Sequence, residues 1–403
     1  MIASETQNSQ LGKPELSFEF RDSSSMHERA RILMVAGGTG GHIFPTLAVA
    51  EELRERENVA PPRYEIEFLG TQRPLEAKLI PGAGFRLRAV EAAGLKGIGG
   101  VQRWLNLLVL PRTAISVAEI LREFQPQVVL GVGGYLAGPA MLEAALVDIP
   151  TILIEPNARP GFTNRLLAPI VCAAAVGFAE TAHVYGEKAH VTGHPVRRAF
   201  FEIPPRRHPL SGSGQPGVAA SSAPFTVLVV GGSQGSKAIN HAVTECLPRL
   251  APKSRMIRII HQTGERDYNE IRKIYHDRNL HVEVAAFIED MPGALAEADL
   301  VISRAGATAV AELAAAGRAS LLIPFPGATD QHQLANARAM EKAGAARVIV
   351  QSELTPERLA AEIRDLMAST AILERMESCA RCLARPDAAG QIADLVDEMV
   401  RKG

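Results

Sequence analysis

Val35-Ala36-Gly37-Gly38-Thr39-Gly40-Gly41-His42 and Val229-Val230-Gly231-Gly232-Ser233-Gln234-Gly235-Ser236 are two copies of one phrase, about two hundred residues apart. Each follows a run with the pattern of a buried parallel strand, Arg31 to Ala36 and Phe225 to Val230, and each precedes a helical pattern. Strand, glycine turn and helix in that order open a nucleotide-binding α/β unit. Glycine lets the backbone approach a phosphate, and the helix N-terminus behind it offers free amides and a partial positive charge. Two such openings predict two nucleotide-binding-type domains facing each other, the plan of an enzyme that joins two substrates in a cleft.

The rest of the chain alternates in the same way. Strand patterns fall at 31–36, 64–69, 86–90, 127–132, 150–155 and 171–176, then at 225–230, 256–261, 281–286, 299–303, 319–323 and 346–350. Helical patterns lie between them, such as Thr46 to Glu57 and Leu105 to Phe124. This predicts an α/β chain with doubly wound parallel sheets. A length of 403 residues suits two such domains. The expected division is a polar, Ser-rich, disordered tail over 1–29 (with Met26 an alternative start), a first domain over 30–196 and a second over 197–385. The hinge is expected near Gly193-His194-Pro195-Val196, and Pro204 to Pro224 reads as a flexible excursion.

A net charge of −1 gives no electrostatic ground for nucleic acid as a partner. Cys172 and Cys246 sit among apolar neighbours. Cys379 and Cys382 have the spacing of half a zinc site with no second pair, so a helix face is the better reading. A reduced setting fits. No apolar run reaches the ~20 residues of a spanning helix.

Several residues at strand ends carry candidate chemistry. In the second glycine phrase Ser233 and Ser236 add hydroxyls to the loop amides, giving either a pyrophosphate cradle or a tight turn without ligand. His42 admits two readings, a general base with an ordinary pKa of ~6.5 held neutral by the helix N-terminus, or a structural ring bonded to the loop. A third turn, Gly131-Val132-Gly133-Gly134-Tyr135, either receives the phosphates of a second substrate or packs tightly. Glu312 lies among Ala311, Leu313 and Ala314, where a charge needs a partner; a carboxylate there suits a ribose diol. Asp330-Gln331-His332-Gln333-Leu334-Ala335-Asn336 gathers amides suited to sugar hydroxyls, and Asn157 reads as either a turn residue or a cleft residue from the opposite side. Leu95 to Arg112, with the single Trp104 and Lys96, Arg103 and Arg112 around it, is either a core helix or a segment resting on an anionic membrane.

Taken as a set, GGTGGHIFP (37–45), GVGGY (131–135), EPN (155–157), TGHPVR (192–197), GGSQGS (231–236), FIEDM (287–291), SRAGATAVAELAAAG (303–317) and HQLANA (332–337) resemble the MurG family, peripheral-membrane glycosyltransferases of peptidoglycan synthesis. The resemblance spans about residues 30 to 400. It implies a GT-B type fold, two Rossmann-like doubly wound domains facing a cleft, with a last helix over about 386–403 packing back on the first domain. The implied reaction moves N-acetylglucosamine from UDP-N-acetylglucosamine to the muramoyl 4-hydroxyl of lipid I (undecaprenyl-diphosphate muramoyl-pentapeptide), with inversion, to form lipid II. It further implies Ser233 at the diphosphate, the Ile288 backbone at the uracil, and Glu312 at the ribose. Ala307, Thr308, Gln333 and Asn157 are implied around the sugar and phosphates, with Arg197 adding charge near the diphosphate. Thr39, Gly40 and Gly41 are implied on the acceptor side, with His42 as base. Leu95–Arg112 falls where the family faces the membrane, which implies an anionic membrane surface as partner on the cytoplasmic face of the bacterial cell membrane. No Asp-x-Asp motif occurs, so neither metal nor other cofactor is expected. The family commonly has His before and Gln after the position of Glu155, where this chain has Ile154 and Pro156. The rival readings are a non-hydrolysing UDP-N-acetylglucosamine epimerase, a UDP-sugar glycolipid synthase, and a nucleotide-sugar-binding regulator without turnover.

Overall fold

The computed structural model describes residues 29–37, 40–56, 63–71, 73–90, 109–206, 224–250, 256–328 and 331–402, without the side chains of 109–111. Thr39, Asp330, Trp104 with most of Leu95–Arg112, nearly all of the 1–29 tail, and residues 207–223 of the Pro204–Pro224 segment lie outside the described residues.

Two parallel sheets carry the fold. The first holds β1 (Ala30–Val35), β2 (Tyr64–Gly70), β3 (Arg86–Ala89), β4 (Val128–Gly131), β5 (Thr151–Glu155), β6 (Ala173–Val176) and β7 (Ala189–Val191) in the order β3-β2-β1-β4-β5-β6-β7. The second holds β8 (Phe225–Val230), β9 (Ile257–Gln262), β10 (Glu283–Ala285), β11 (Leu300–Ser303), β12 (Ser320–Leu322) and β13 (Ala346–Val348) in the order β10-β9-β8-β11-β12-β13. The two orders are the same winding. In each, the strand order reverses beside the strand that ends in the glycine phrase, and open α/β sheets receive ligands at that reversal. Central strands such as Ile32–Val35 and Val227–Val229 are fully buried on both faces, which explains their unbroken apolar runs.

The helices of the first half are α1 (Gly40–Glu55), α2 (Pro74–Gly82), α3 (Val109–Phe124), α4 (Gly134–Leu146) and α5 (Phe162–Leu167). Those of the second are α6 (Lys237–Cys246), α7 (Tyr268–Asp277), α8 (Met291–Glu297), α9 (Ala307–Ala316), α10 (His332–Lys342), α11 (Pro356–Ala368) and α12 (Thr370–Leu383). The last helix, α13 (Ala388–Lys402), turns Ile392, Ala393 and Val396 into the core formed by β1 and α1. Arg56, the residue after α1, fastens it by bonds to Asp394 (2.8 Å) and the Gly390 carbonyl (2.8 Å).

Three details differ from the sequence reading. The first helix begins at Gly40, six residues before Thr46, because Pro45 falls where its missing N–H costs only a bond to the Gly41 carbonyl. Thr46 Oγ1 compensates by donating to His42 O (3.0 Å) and Ile43 O (2.9 Å). Strand β7 was not expected; its Ala-His-Val triplet is too short and too exposed to show a pattern. Cys172, read as apolar in setting, is exposed in the turn before β6, while Cys246 is buried.

Candidate active site

Both glycine phrases open onto one cleft of about 1830 Å³ between the two sheets. That exceeds the ~300–1,000 Å³ of an ordinary small-molecule pocket and leaves room for two substrates. On the second sheet, register places Val230 opposite Gln262 on one side and Ser303 on the other. These three strand ends form one row, and the loops that follow them make the cleft floor.

The loop after β8 is held tightly. Gly235 N–H closes a turn onto Gly232 O at 3.0 Å. Gly235 has φ +73°, and a Cβ there would collide with the Thr263 carbonyl, so only glycine fits. Ser236 caps α6 by accepting from Ile239 N–H at 3.4 Å. Its Oγ also accepts from Arg304 Nη2 at 2.7 Å. With both lone pairs engaged, the Ser236 proton remains for a ligand. Ser233 lies on the cleft wall beside it.

Arg304 was quoted in the sequence motif but given no task there. It is 9% exposed and donates to Ile323 O (2.9 Å), Ser236 Oγ and Gln351 Oε1 (2.7 Å). Burial pulls its pKa down to about 10, which leaves it charged at neutral pH. All three partners are uncharged, so a buried cation stands at the cradle without a carboxylate.

Ala307 and Thr308 begin α9, and both line the cleft. No side chain caps that helix start at Gly306, and the buried Thr308 Oγ1 has no hydrogen-bond partner. Glu312 lies on the same helix. Burial pushes its pKa up to about 7, with Arg197 acting in the opposite direction. Arg197 comes from the segment that joins the two sheets. Its guanidinium sits over the Phe44 ring (5.0 Å) and the Phe200 ring (5.2 Å), and its buried Nε lacks a partner. Gln333 spends its Oε1 on Phe325 N–H (2.9 Å), which leaves its NH₂ for a ligand. The Ile288 N–H is taken by Gln262 Oε1 (2.8 Å), so of the expected backbone contact only the carbonyl is open.

From the first sheet come Gly40, Gly41 and His42, at the start of α1. His42 Nδ1 lies 3.1 Å from Gly37 O. A carbonyl can only accept, so Nδ1 carries the proton and Nε2 holds the lone pair. Burial holds the His42 pKa below the usual histidine value, against the pull of that carbonyl. The third glycine turn makes room for this ring: a Cβ on Gly134, whose φ is +83°, would stand 3.0 Å from His42 Cε1.

Glu155 has a structural task. Its buried carboxylate accepts from Asn157 N (2.9 Å), Asn157 Nδ2 (3.1 Å), Gly161 N (3.0 Å) and Asn164 Nδ2 (2.8 Å), clamping the loop that presents Asn157. The loop is met from the other domain by Asn336, which is fully buried, accepts from Ala158 N–H (3.1 Å) and donates to Asn157 Oδ1 (3.4 Å). Asn336 was read among amides suited to sugar hydroxyls and is instead bonded to the Asn157 loop, while Gln262 and Arg304 escaped the sequence reading. The one signal for Gln262 and Arg304 is a polar residue directly at or after a strand's C-terminal end.

A raised carboxyl pKa has two consequences that can be measured. Below about pH 7 Glu312 is protonated and loses half of its capacity to accept; if it holds the ribose diol that the resemblance implies, sugar-nucleotide affinity should rise as pH is raised from 6 to 8. Glu312→Gln should abolish that dependence and weaken binding by roughly 10- to 100-fold. Linkage gives the opposite sign for the unliganded fold: stability contributed by the neutral acid is lost as pH rises toward about 7, so Glu312→Gln should gain melting temperature relative to the parent at pH 8 but not at pH 5. Calorimetric titration and thermal melts at three pH values test both, and a flat profile in the parent would remove Glu312 from the binding site.

Residues 32–176 match the glycosyltransferase family 28 N-terminal domain, and residues 226–392 match the glycosyltransferase family 28 C-terminal domain. A UDP-N-acetylglucosamine–N-acetylmuramyl-(pentapeptide) pyrophosphoryl-undecaprenol N-acetylglucosamine transferase of Anaeromyxobacter sp. (strain Fw109-5) is 44% identical, over 92% of this chain and 94% of its own. One of the same name from Syntrophus aciditrophicus is 41% identical, over 92% and 99%. The crystal structure of Acinetobacter baumannii MurG superposes with a TM-score of 0.68 at 30% identity, covering 92% of this chain and all of that one. A putative UDP-N-acetylglucosamine 2-epimerase of Listeria monocytogenes reaches a TM-score of 0.66 at 12% identity, which is a likeness of fold alone. With two GT-B type halves matched in order and relatives over 40% identical along nine-tenths of its length, the chain belongs to the MurG family of N-acetylglucosamine transferases in glycosyltransferase family 28.

Proposed function

We propose that the chain transfers N-acetylglucosamine from UDP-N-acetylglucosamine to the muramoyl 4-hydroxyl of lipid I, forming lipid II with inversion at the anomeric carbon. The observation that carries this reading is the meeting, across one cleft, of a neutral imidazole with a free Nε2 and a cationic glycine loop. The acceptor oxygen forms a bond to C1 of the sugar as the C1–O bond to the diphosphate breaks; the hydroxyl proton passes to His42 Nε2, and the electron pair leaves on UDP. The transition state has oxocarbenium character, so most of the developing negative charge lies on the diphosphate. Ser233, Ser236, the loop amides and Arg304 meet that charge as preorganised donors. Glu312 takes the ribose diol, Ile288 the base, and Thr308, Ala307, Gln333 and Asn157 the sugar. Arg197 then serves the nucleoside side of the site, close to Glu312.

The division at 30–196 and 197–385 follows the two sheets in this reading, with α13 crossing back. The acceptor's lipid calls for a membrane face. Helices α3, α4 and α5 pack in series and leave Ile115, Leu142, Leu146, Phe162 and Leu166 exposed; Arg112 on α3 and Arg159 ahead of α5 are exposed as well. Phe162 and Leu166 also line the cleft, which supports passage of a lipid-linked sugar from an anionic membrane at its cytoplasmic face into the site. Among the described residues, no helix is long and apolar enough to cross a membrane.

The test is transfer of labelled N-acetylglucosamine from UDP-N-acetylglucosamine to a lipid I analogue in detergent or anionic vesicles. Label in lipid II is the expected result. Conversion of the sugar nucleotide alone into a second UDP-sugar would instead identify an epimerase.

A further inference from the structure

Of the three groups that hold the Arg304 guanidinium, Gln351 has no task in the proposed reaction. It stands just past β13, half-buried, and lines the cleft. Register sets Ser303 beside Leu322 and Leu322 beside Val348, so Arg304 leaves the end of β11 and reaches across β12 to the end of β13. On the way its Nη1 donates to Ile323 O (2.9 Å), and its Nη2 donates to Gln351 Oε1 (2.7 Å). The amide's orientation is fixed, because a guanidinium can only donate and a flip would turn the NH₂ against a cation. The backbone under it is fixed too. Ile349 is fully buried and its N–H bonds to Leu322 O (3.0 Å), while Glu353 N–H and Leu354 N–H close a tight turn onto Val350 O (2.8 Å) and Gln351 O (3.2 Å).

Glutamate has the size of glutamine and would offer the same oxygen to Arg304. It would also pair the buried charge, which a neutral partner leaves uncompensated. Among the described residues no carboxylate hydrogen-bonds Arg304, and burial, unopposed by any acidic group, pulls its pKa down. The fold without ligand is therefore better served by a carboxylate at 351 than by the amide that stands there. The amide becomes intelligible when a second anion is counted. A carboxylate at 351 would neutralise Arg304 before a phosphate arrived and would repel the phosphate when it did. An amide orients the guanidinium and leaves its charge in the cleft.

We propose that Gln351 is a positioning residue for the departing diphosphate: its Oε1 aims the Arg304 guanidinium into the phosphate cradle, and its lack of charge keeps that cation free for the phosphate to neutralise. This rests on the sugar-nucleotide reading of the cleft. Two replacements of similar size separate orientation from charge. Gln351→Met stays neutral and loses the acceptor for Arg304. Gln351→Glu keeps the acceptor and adds a negative charge.

Calorimetric titration of the full chain with UDP and with uridine at about pH 8, beside thermal melts, reads both functions. Gln351→Met should bind UDP up to ~10-fold more weakly than the parent, as the loss of one hydrogen bond predicts. Gln351→Glu should bind UDP at least ~30-fold more weakly while melting no lower than the parent. Uridine, which has no phosphate, should bind all three proteins alike. A residue that serves only the scaffold predicts the reverse order, since the carboxylate keeps the bond to Arg304 and methionine does not. If the parent binds UDP and Gln351→Glu binds it as tightly as Gln351→Met does, or if uridine and UDP weaken together, the role of Gln351 is overturned and the site reading stands. If the parent binds neither ligand, the site reading falls and takes this inference with it.

Discussion

His42→Ala should lower kcat by about 10²- to 10⁴-fold, the range for loss of a positioned general base, and leave the KM for the sugar nucleotide nearly unchanged. The split follows from placement. His42 stands on α1 of the first sheet, while the cradle, Glu312 and Gln333 all belong to the second. The tautomer is set by the Gly37 carbonyl at 3.1 Å, which leaves Nε2 as the only basic nitrogen. Burial lowers the ring's pKa, so the neutral, proton-accepting form persists to pH values below the ordinary histidine midpoint. The acid limb of kcat should therefore fall below ~6.5, while that of kcat/KM for the sugar nucleotide should follow Glu312 near 7. His42→Asn is the control: it can still donate to Gly37 O but accepts a proton poorly, so it should be as slow as alanine. Turnover near the parental rate in either variant would remove His42 as the base.

The fold was written in the sequence more fully than the site. Twelve of the strands were visible, the central ones because runs such as Val227–Val229 are buried on both faces and so are apolar. The start of α1 was obscured by the glycines and Pro45 that make it useful, since residues that serve a ligand-facing helix start look like a turn. A charged residue that stands alone among small apolar neighbours, such as Glu312 on α9, was legible as an exception to its surroundings. Residues whose task is to bond another loop were not. Glu155 acquires meaning only when the backbone of 156–161 folds over it, and Asn336 only when Asn157 arrives from the other domain. A periodic pattern records burial, but the pairing of two polar groups far apart in the chain leaves no trace in either one's neighbours.

Arg304→Met should cost about 10²- to 10³-fold in kcat, the loss seen when one preorganised donor to a developing anion is removed. Methionine fills comparable space without charge or donors. The guanidinium has no carboxylate among its hydrogen-bond partners, which are Ile323 O, Ser236 Oγ and Gln351 Oε1, and a buried cation held only by neutral oxygens lowers the stability of the empty protein. Its presence is reasonable if an anion completes the pair in the working state, and in the proposed reaction the diphosphate beside the adjoining glycine loop is that anion. A purely structural arginine would predict that uridine and UDP lose affinity together in the variant. An arginine that serves the diphosphate predicts that UDP loses at least ~10-fold while uridine is little changed, because uridine has no phosphate for it to meet. Arg304→Lys sharpens the comparison: it keeps the charge but not the fork that reaches Ile323, Ser236 and Gln351 at once, so it should bind UDP with intermediate affinity. Equal losses for uridine and UDP, or none for either, would assign Arg304 to the scaffold and leave the departing diphosphate to the loop amides and serines alone.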